Sequence, residues 1–313
     1  MSSGAAAGRR YAFHQVDVFT DVLFGGNPLA VFPDAAGLSD AEMQAIAREM
    51  NLSETTFVLA PELPGAAAKV RIFTPGRELP FAGHPTLGTA YVLASLGRLP
   101  TPHAGVAEAV LEEGIGAVPV RLERGGTFVW MGQRDATFGP EVVARGALAG
   151  ALGLAERDLL DGAPVRVGST GNAFLYVALR DRAAVDRVTL DARALLAVFD
   201  DPECHGVFVF APDGAAEDGA VRVYSRMLGY GEIGIGEDAA TGSASGPLGA
   251  YLVEHGLATP VGEERVVRIV SEQGTRMGRR SLVHIRLRAA GARATDIRVG
   301  GGVVPVLEGT LTL

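Results

Sequence analysis

Leu79-Pro80-Phe81-Ala82-Gly83-His84-Pro85-Thr86-Leu87-Gly88 sets a histidine between a glycine and a proline where an apolar run turns into a helix. Proline suits the first helical position, because its φ is already near the helical value and its missing N–H is not needed there. The helix predicted from Pro85 runs through Leu87, Ala90, Tyr91 and Leu93 to a stop at Gly97. The second half repeats the arrangement. Gly242-Ser243 opens a run, read as helical near Ser245–His255, that stops at Gly256, and each pair of glycines is fourteen residues apart. Likewise Gly26-Asn27-Pro28-Leu29-Ala30-Val31 is echoed by Gly171-Asn172-Ala173-Phe174-Leu175-Tyr176-Val177, each a Gly-Asn turn entering an apolar strand. The echoes read as a duplicated unit whose site lies at the junction of the copies. Chance recurrence is the competing explanation, since glycine is the commonest turn and C-cap residue.

Working outward, strand-like runs recur at Tyr11–Phe19, Leu29–Phe32, Thr55–Leu59, Lys69–Phe73, Val118–Leu122 and Thr127–Met131. The second half has them at Phe174–Leu179, Gly206–Phe210, Val221–Ser225, Val266–Ser271, Leu282–Leu287 and Val303–Leu307, with a helix near Asp191–Val198. Ser39 with Glu42 forms a capping box, and Met43, Ile46, Ala47 and Met50 follow at helical spacing, so a helix with one buried face is expected there. The length of 313 residues exceeds what one typical core supports. The expected division is a disordered tail over 1–10, an N-terminal lobe over 11–135 and a C-terminal lobe over 136–313, with a return of C-terminal strands into the first lobe left open.

Composition excludes several classes. A net charge of −8 argues against nucleic acid, which needs a basic patch to release phosphate counterions. No stretch approaches the roughly 18 uninterrupted apolar residues of a membrane span. One cysteine, Cys204, forms no internal disulfide, and no Cys/His spacing offers a zinc site, which fits a reducing cytoplasm. Neither G-x-G-x-x-G after a strand nor G-x-x-x-x-G-K-[ST] occurs, so nucleotide cofactors are unsupported.

Three stretches can carry chemistry. In Asn51-Leu52-Ser53-Glu54-Thr55-Thr56-Phe57 a carboxylate stands between a helix end and an apolar strand, where partial desolvation raises its pKa toward that of a useful acid/base group. The bland alternative is an exposed helix-terminal glutamate. His84, at a helix N-terminus that disfavours its charged form, can hydrogen-bond a substrate, relay a proton or simply cap the helix. In Gly234-Ile235-Gly236-Glu237-Asp238-Ala239-Ala240-Thr241-Gly242-Ser243-Ala244 the backbone N–H groups of Gly242 and Ser243 can cradle a carboxylate while Asp238 accepts from an amine or hydroxyl. An ordinary acidic turn is the alternative. Ser243, His84 and Asp238 lack the G-x-S-x-G elbow of a hydrolase. His14, His103, His205, His255 and His284 lack ligand-like spacing and are assigned no role. The partner these features imply is a small anionic molecule.

From about Tyr11 to the C-terminus the order and wording of the motifs resemble the PhzF family, within the diaminopimelate-epimerase-like superfamily. The likeness rests on Val16-Asp17-Val18-Phe19-Thr20, Gly25 to Val31, Asn51 to Phe57, Phe81 to Thr86, Glu237-Asp238 with Thr241-Gly242-Ser243-Ala244, and Gln273-Gly274 with Met277-Gly278-Arg279. It implies an α+β fold of two pseudo-symmetric lobes, each a curved, barrel-like sheet around a central helix, and a homodimer. It also implies that Glu54 moves an allylic proton on a dihydro-hydroxyanthranilate-like substrate, with no metal or organic cofactor. Ser53, Gly83, His84, Asp238, Gly242 and Ser243 match the family's other site positions. Cyclisation, dehydration, epimerisation or mere binding at the same site remain open. The sequence departs from the family where its usual Glu-Asp-Pro reads Glu237-Asp238-Ala239, in the glycine-rich stretch 228–236, and at Arg280, where proline is frequent.

Overall fold

The computed structural model describes residues 8–101, 105–216, 218–230 and 236–313. Most of the expected tail, His103 and the middle of the 228–236 stretch lie outside the described residues. The first lobe runs β1 (Arg10–Val18), β2 (Asn27–Phe32), α1 (Asp40–Met50), β3 (Glu54–Leu59), β4 (Ala68–Phe73), β5 (Glu78–Leu79), α2 (Gly83–Ser95), β6 (Ala107–Glu113), β7 (Gly116–Glu123) and β8 (Phe128–Gly132). The second runs β9 (Thr137–Glu141), α3 (Arg145–Ala151), β10 (Arg166–Ser169), β11 (Ala173–Ala178), α4 (Arg182–Arg187), α5 (Ala192–Leu196), β12 (Cys204–Ala215), β13 (Val221–Gly229), β14 (Glu237–Asp238), α6 (Gly242–Glu254), β15 (Val266–Gln273), β16 (Ser281–Ala290) and β17 (Arg293–Thr312).

The two lobes repeat one pairing scheme. β1–β2 is antiparallel, β2–β3 parallel, β3–β4 antiparallel and β4–β6 parallel; β10–β11, β11–β12, β12–β13 and β13–β15 follow the same order and senses. The duplication is therefore real at the level of hydrogen-bond ladders, and the α+β, two-lobe architecture holds. In each copy the two-residue strand just before the central helix pairs with the far end of the preceding strand: β5 with β4, β14 with β13.

The central helices explain the apolar composition of their sequences. α2 buries Leu87, Ala90, Val92 and Leu93 along with Thr86 and Thr89, and α6 is buried all round from Gly242 to Val253. A helix with no polar face belongs inside a sheet that wraps it. Both start at their glycine, two to three residues before the expected starts at Pro85 and Ser245, and both end at glycines in the left-handed region, Gly97 at φ 71° and Gly256 at φ 69°. α1 is different. Its capping box is formed, Met43, Ile46 and Ala47 are buried, and it lies outside the first sheet.

β17 joins the lobes. Its start pairs with β16 and its end with β1, closing the first lobe into a ring of β1, β2, β3, β4, β6, β7, β8 and β17. At the crossing stand Gly300-Gly301-Gly302, where a Cβ would lie 2.6 Å from the Trp130 ring, 2.5 Å from the Phe19 ring and 2.6 Å from the Thr20 carbonyl oxygen. No other residue type fits. Gly301→Ala is expected to destabilise the fold by about 2 kcal/mol through overpacking, which urea denaturation checks; an unchanged midpoint and slope would contradict this account of the crossing.

Candidate active site

α2 and α6 meet end to end at the junction of the lobes. A Cβ on Gly83 would lie 2.6 Å from Gly242 Cα, so the two backbones touch because neither residue has a side chain. Neither helix has a side-chain cap; their N-cap residues are Ala82 and Thr241. Two asparagines lock this contact reciprocally. Asn27 Nδ2 of the first lobe donates to Ala240 O, 3.0 Å away, and Asn172 Nδ2 of the second donates to Phe81 O at 3.2 Å. Ala240 and Phe81 each stand two residues before the opposing glycine. These are the two Gly-Asn turns of the sequence echo, and what they do across the junction was not evident from spacing.

Around that contact lies a cavity of about 40 Å³ lined by Glu54, Gly83, His84, Asp238, Gly242 and Ser243, with Asn172, Phe174, His205 and Met227 on its second-lobe wall. Six of the seven expected residues are thus brought together. Ser53, half-buried in the turn before β3, is not among the lining residues. Glu54 is not exposed: as the first residue of β3 it is buried, as are His84 and Asp238. Ala239 is buried in the turn after Asp238, and Arg280 pairs with Glu272 at 2.8 Å.

Asp238 is tightly held. Asn27 Nδ2 donates to its Oδ1 at 2.6 Å, and Thr241 Oγ1 to its Oδ2 at 2.6 Å. Gln273 braces the turn, donating to Asp238 O at 2.9 Å and accepting from Thr241 N at 3.1 Å. Next door, Arg226 grips Glu237 through two bonds of 2.8 and 2.9 Å and so anchors β14. Burial raises the Asp238 pKa more than these donors lower it, to about 6. Among the described residues Glu54 has no such donors. Burial first and the Asp238 charge second push its carboxyl well above the usual range. Two carboxylates in one cavity are thereby driven to different states, Asp238 the anion and Glu54 the acid.

His84 completes the set. Burial pushes its imidazole down to about 3, so it is neutral. This desolvation, more than the helix end, is the cause. Nε2 lies 3.3 Å from Glu54 Oε2, out of hydrogen-bond line, and both atoms are buried without another partner among the described residues. Leaving such groups unpaired costs about 1–3 kcal/mol each, and a ligand placed between the lobes can satisfy them. The two amide hydrogens of Asn27 go to Asp238 and Ala240, its shorter contacts. His84 Nδ1, 3.1 Å from Asn27 Nδ2, then carries its own hydrogen toward the Pro28 backbone. That tautomer leaves Nε2 an acceptor facing the protonated Glu54.

A family model described as "Phenazine biosynthesis-like protein" matches residues 16–309. The chain belongs to the PhzF family. A trans-2,3-dihydro-3-hydroxyanthranilate isomerase of Pseudomonas aeruginosa is 38% identical to it over 296 residues, 94% of this chain and 96% of that protein. An uncharacterized isomerase of Clostridium acetobutylicum is 32% identical over 309 residues, 97% and 99% of the two chains. The crystal structure of a PhzF-family phenazine biosynthesis protein from Bacillus anthracis matches with a TM-score of 0.83 at 27% identity, covering 97% of this chain and all of that one. With such relatives over its whole length, this PhzF-family protein is an isomerase.

Behind the first turn of α2 a further carboxyl, Glu113, is buried against Thr86. Thr86 Oγ1 lies 2.7 Å from Ala82 O and 2.6 Å from Glu113 Oε1. A hydroxyl has one hydrogen for these two acceptors, so a protonated Glu113 would donate to Thr86 Oγ1 and leave that hydrogen to Ala82 O. Burial raises its pKa from 4.5 to about 8 in keeping with this. Between those values the folded chain holds a proton that the unfolded chain has lost, so this group's contribution to stability falls as pH rises. Denaturant titrations at pH 5 and pH 8 are expected to show a larger loss in the wild type than in Glu113→Gln; parallel losses would contradict the protonated assignment.

Proposed function

We propose that the cavity performs a cofactor-independent proton shift on a small carboxylate-bearing substrate of the dihydro-hydroxyanthranilate kind, with Glu54 as the group that takes and returns the proton. The observation that carries this reading is the buried, unpartnered Glu54 Oε2 facing the unpartnered Nε2 of a neutral His84. Asp238, at the same depth, has a donor on each carboxylate oxygen, whereas Glu54 keeps an oxygen unpaired.

The rest of the cavity suits such a substrate. The uncapped first turns of α2 and α6 present N–H groups and partial positive charge to its carboxylate from both lobes, at Gly83-His84 and at Gly242-Ser243. Asp238, an anion held by Asn27 and Thr241, accepts from a substrate amine or hydroxyl. Glu54, once ionised, is a strong base because desolvation has raised its pKa, and as the acid it redelivers the proton to a second ring carbon. A small rotation of either side chain would let His84 Nε2, 3.3 Å from Glu54 Oε2, take a hydrogen bond from the protonated carboxyl and aim it. The relatives named trans-2,3-dihydro-3-hydroxyanthranilate isomerase support this substrate class.

Incubated with trans-2,3-dihydro-3-hydroxyanthranilate in D₂O, the wild type is expected to isomerise it with deuterium entering the ring, whereas Glu54→Gln binds it but turns over at least about 10³-fold more slowly. Undiminished exchange in that variant would refute the assignment. The base must be ionised, so kcat/KM falls as pH drops through the raised Glu54 pKa. Because the Asp238 charge contributes to that rise, Asp238→Asn is expected to move this acidic limb to lower pH; a limb that stays in place would uncouple the two carboxyls.

A further inference from the structure

The two lobes also correspond at the turn beside each central helix. In the first, Ile72 pairs with Leu79, and three residues earlier Lys69 pairs with Glu112. In the second, Met227 pairs with Asp238, and three residues earlier Tyr224 pairs with Glu272. Leu79 and Asp238 each stand four residues before the helix glycine, so Glu112-Glu113-Gly114 is the counterpart of Glu272-Gln273-Gly274. The glycines agree. A Cβ on Gly114 would lie 2.7 Å from Pro80 Cα and one on Gly274 2.5 Å from Ala239 O, and Pro80 and Ala239 each stand three residues before Gly83 and Gly242. The helices agree too, with the hydroxyl of Thr86 bonding back to Ala82 O at 2.7 Å and that of Ser245 to Thr241 O at 2.9 Å. Glu113 therefore holds the place of Gln273, the amide that braces the turn before α6.

We propose that Glu113 is a positioning residue for the active site, whose neutral carboxyl braces the first turn of α2 as the Gln273 amide braces that of α6. It rests on the reading that Gly83 and His84 present their N–H groups to a substrate carboxylate in this cavity. Thr86 Oγ1 stands 2.7 Å from Ala82 O and 2.6 Å from Glu113 Oε1; its one hydrogen serves one of them, and a neutral carboxyl supplies the second. Glu113 Oε2 is buried with no partner among the described residues, which the carbonyl oxygen of an acid bears at lower cost than a carboxylate does. Ionisation would turn the Thr86 hydrogen to Glu113, strip it from Ala82 O and draw the buried charge toward water, loosening the segment that ends in Gly83-His84. Four other charged or titratable groups stand on the elements around it. Glu112 on β6 accepts from Glu62 N and Leu63 N, Lys69 on β4 is 3.8 Å from Glu112, His84 on α2 is neutral, and Arg134 donates to Ile115 O. None of them shifts Glu113, whose pKa burial raises to about 8 against the Thr86 bond.

The test measures kcat/KM for trans-2,3-dihydro-3-hydroxyanthranilate and, by calorimetry, the affinity for anthranilate as a stable carboxylate probe, from about pH 6 to about pH 10. The wild type is expected to lose kcat/KM by about tenfold per pH unit above a midpoint near about 8. Glu113→Gln, which makes the first lobe like the second, is expected to stay within about threefold of the wild type at about pH 6 and to lack this basic limb. Glu113→Ala is expected to fall about tenfold or more already at about pH 6. A limb at the same pH in Glu113→Gln, or a Gln variant as slow as the Ala variant, overturns the proposal. If Glu113→Gln does not fold, Thr86→Val takes its place: it cuts the link from Glu113 to Ala82, so the limb is expected to vanish, and an unchanged limb overturns the proposal. If the wild type leaves trans-2,3-dihydro-3-hydroxyanthranilate unconverted, the proposed function fails by itself and anthranilate carries the test. Affinity that falls with rising pH in the wild type but not in Glu113→Gln supports the brace; equal slopes, or no binding at all, overturn it.

Discussion

The approach of Gly83 to Gly242 is the constraint on which the rest of the molecule depends. Two helices buried along their whole length within curved sheets are brought end to end until their backbones touch, and any side chain at either position would part the lobes. Such a contact is electrostatically adverse, because both helices present the positive end of their dipole. An anion at the junction offsets it. Asp238 stands four residues before Gly242, buried and held by Asn27 and Thr241, and lines the cavity into which both helices open. The same field that stabilises Asp238 is available to a substrate carboxylate, so the binding of an anion and the cohesion of the lobes have one physical origin.

Holding one charge at the junction sets the state of its neighbours. Glu54 cannot easily ionise beside Asp238 in a dry cavity, and His84 cannot easily protonate there, so acid and acceptor face each other neutral. The donors on Asp238 decide which carboxylate keeps the charge. Remove Asn27 or Thr241 and the preference would weaken, because burial acts on both groups alike. Hydrogen bonds made outside the cavity, by Gln273 to the turn and by Arg226 to Glu237, fix the geometry through which this works.

Much of the fold was legible because it repeats. The glycine spacing around the central helices and the two Gly-Asn turns recur at fixed offsets, and amphipathic α1 announced itself through its capping box. Elements with weak local patterns were missed. β6, β9 and β10, and helices α3 and α4, were not read; α3 after Arg145 is a run of Gly and Ala with one Leu, whose burial under the second sheet depends on tertiary packing rather than periodicity. The crossing strand was hidden for another reason. Gly300-Gly301-Gly302 reads as a flexible break, yet it is extended strand that lacks side chains because Phe19, Thr20 and Trp130 occupy the space. At the site, Glu54 carried no periodic signal of burial, since a strand's first residue is buried only by what folds over it. Asn27 and Gln273 were quoted in motifs, but roles that exist only across the junction cannot be read from one segment.

What separates the two copies is as informative as what they share. Counting back four residues from the central glycines places Leu79 opposite Asp238; counting forward one places His84 opposite Ser243; the ladder register places Glu54 opposite the His205-Gly206 pair. The scaffold pairs, Gly83 with Gly242 and Asn27 with Asn172, stayed identical, because each must meet its counterpart across the junction. The chemical pairs diverged. A second aspartate at Leu79 would put two buried anions against one pair of helix ends, and one of them would have to be neutralised at a cost of several kcal/mol. With leucine there, the junction holds a single fixed charge, and the remaining positive field is left for a ligand. A duplicated fold of this kind has a symmetric frame and one polar site, whose handedness is set by which lobe kept the aspartate.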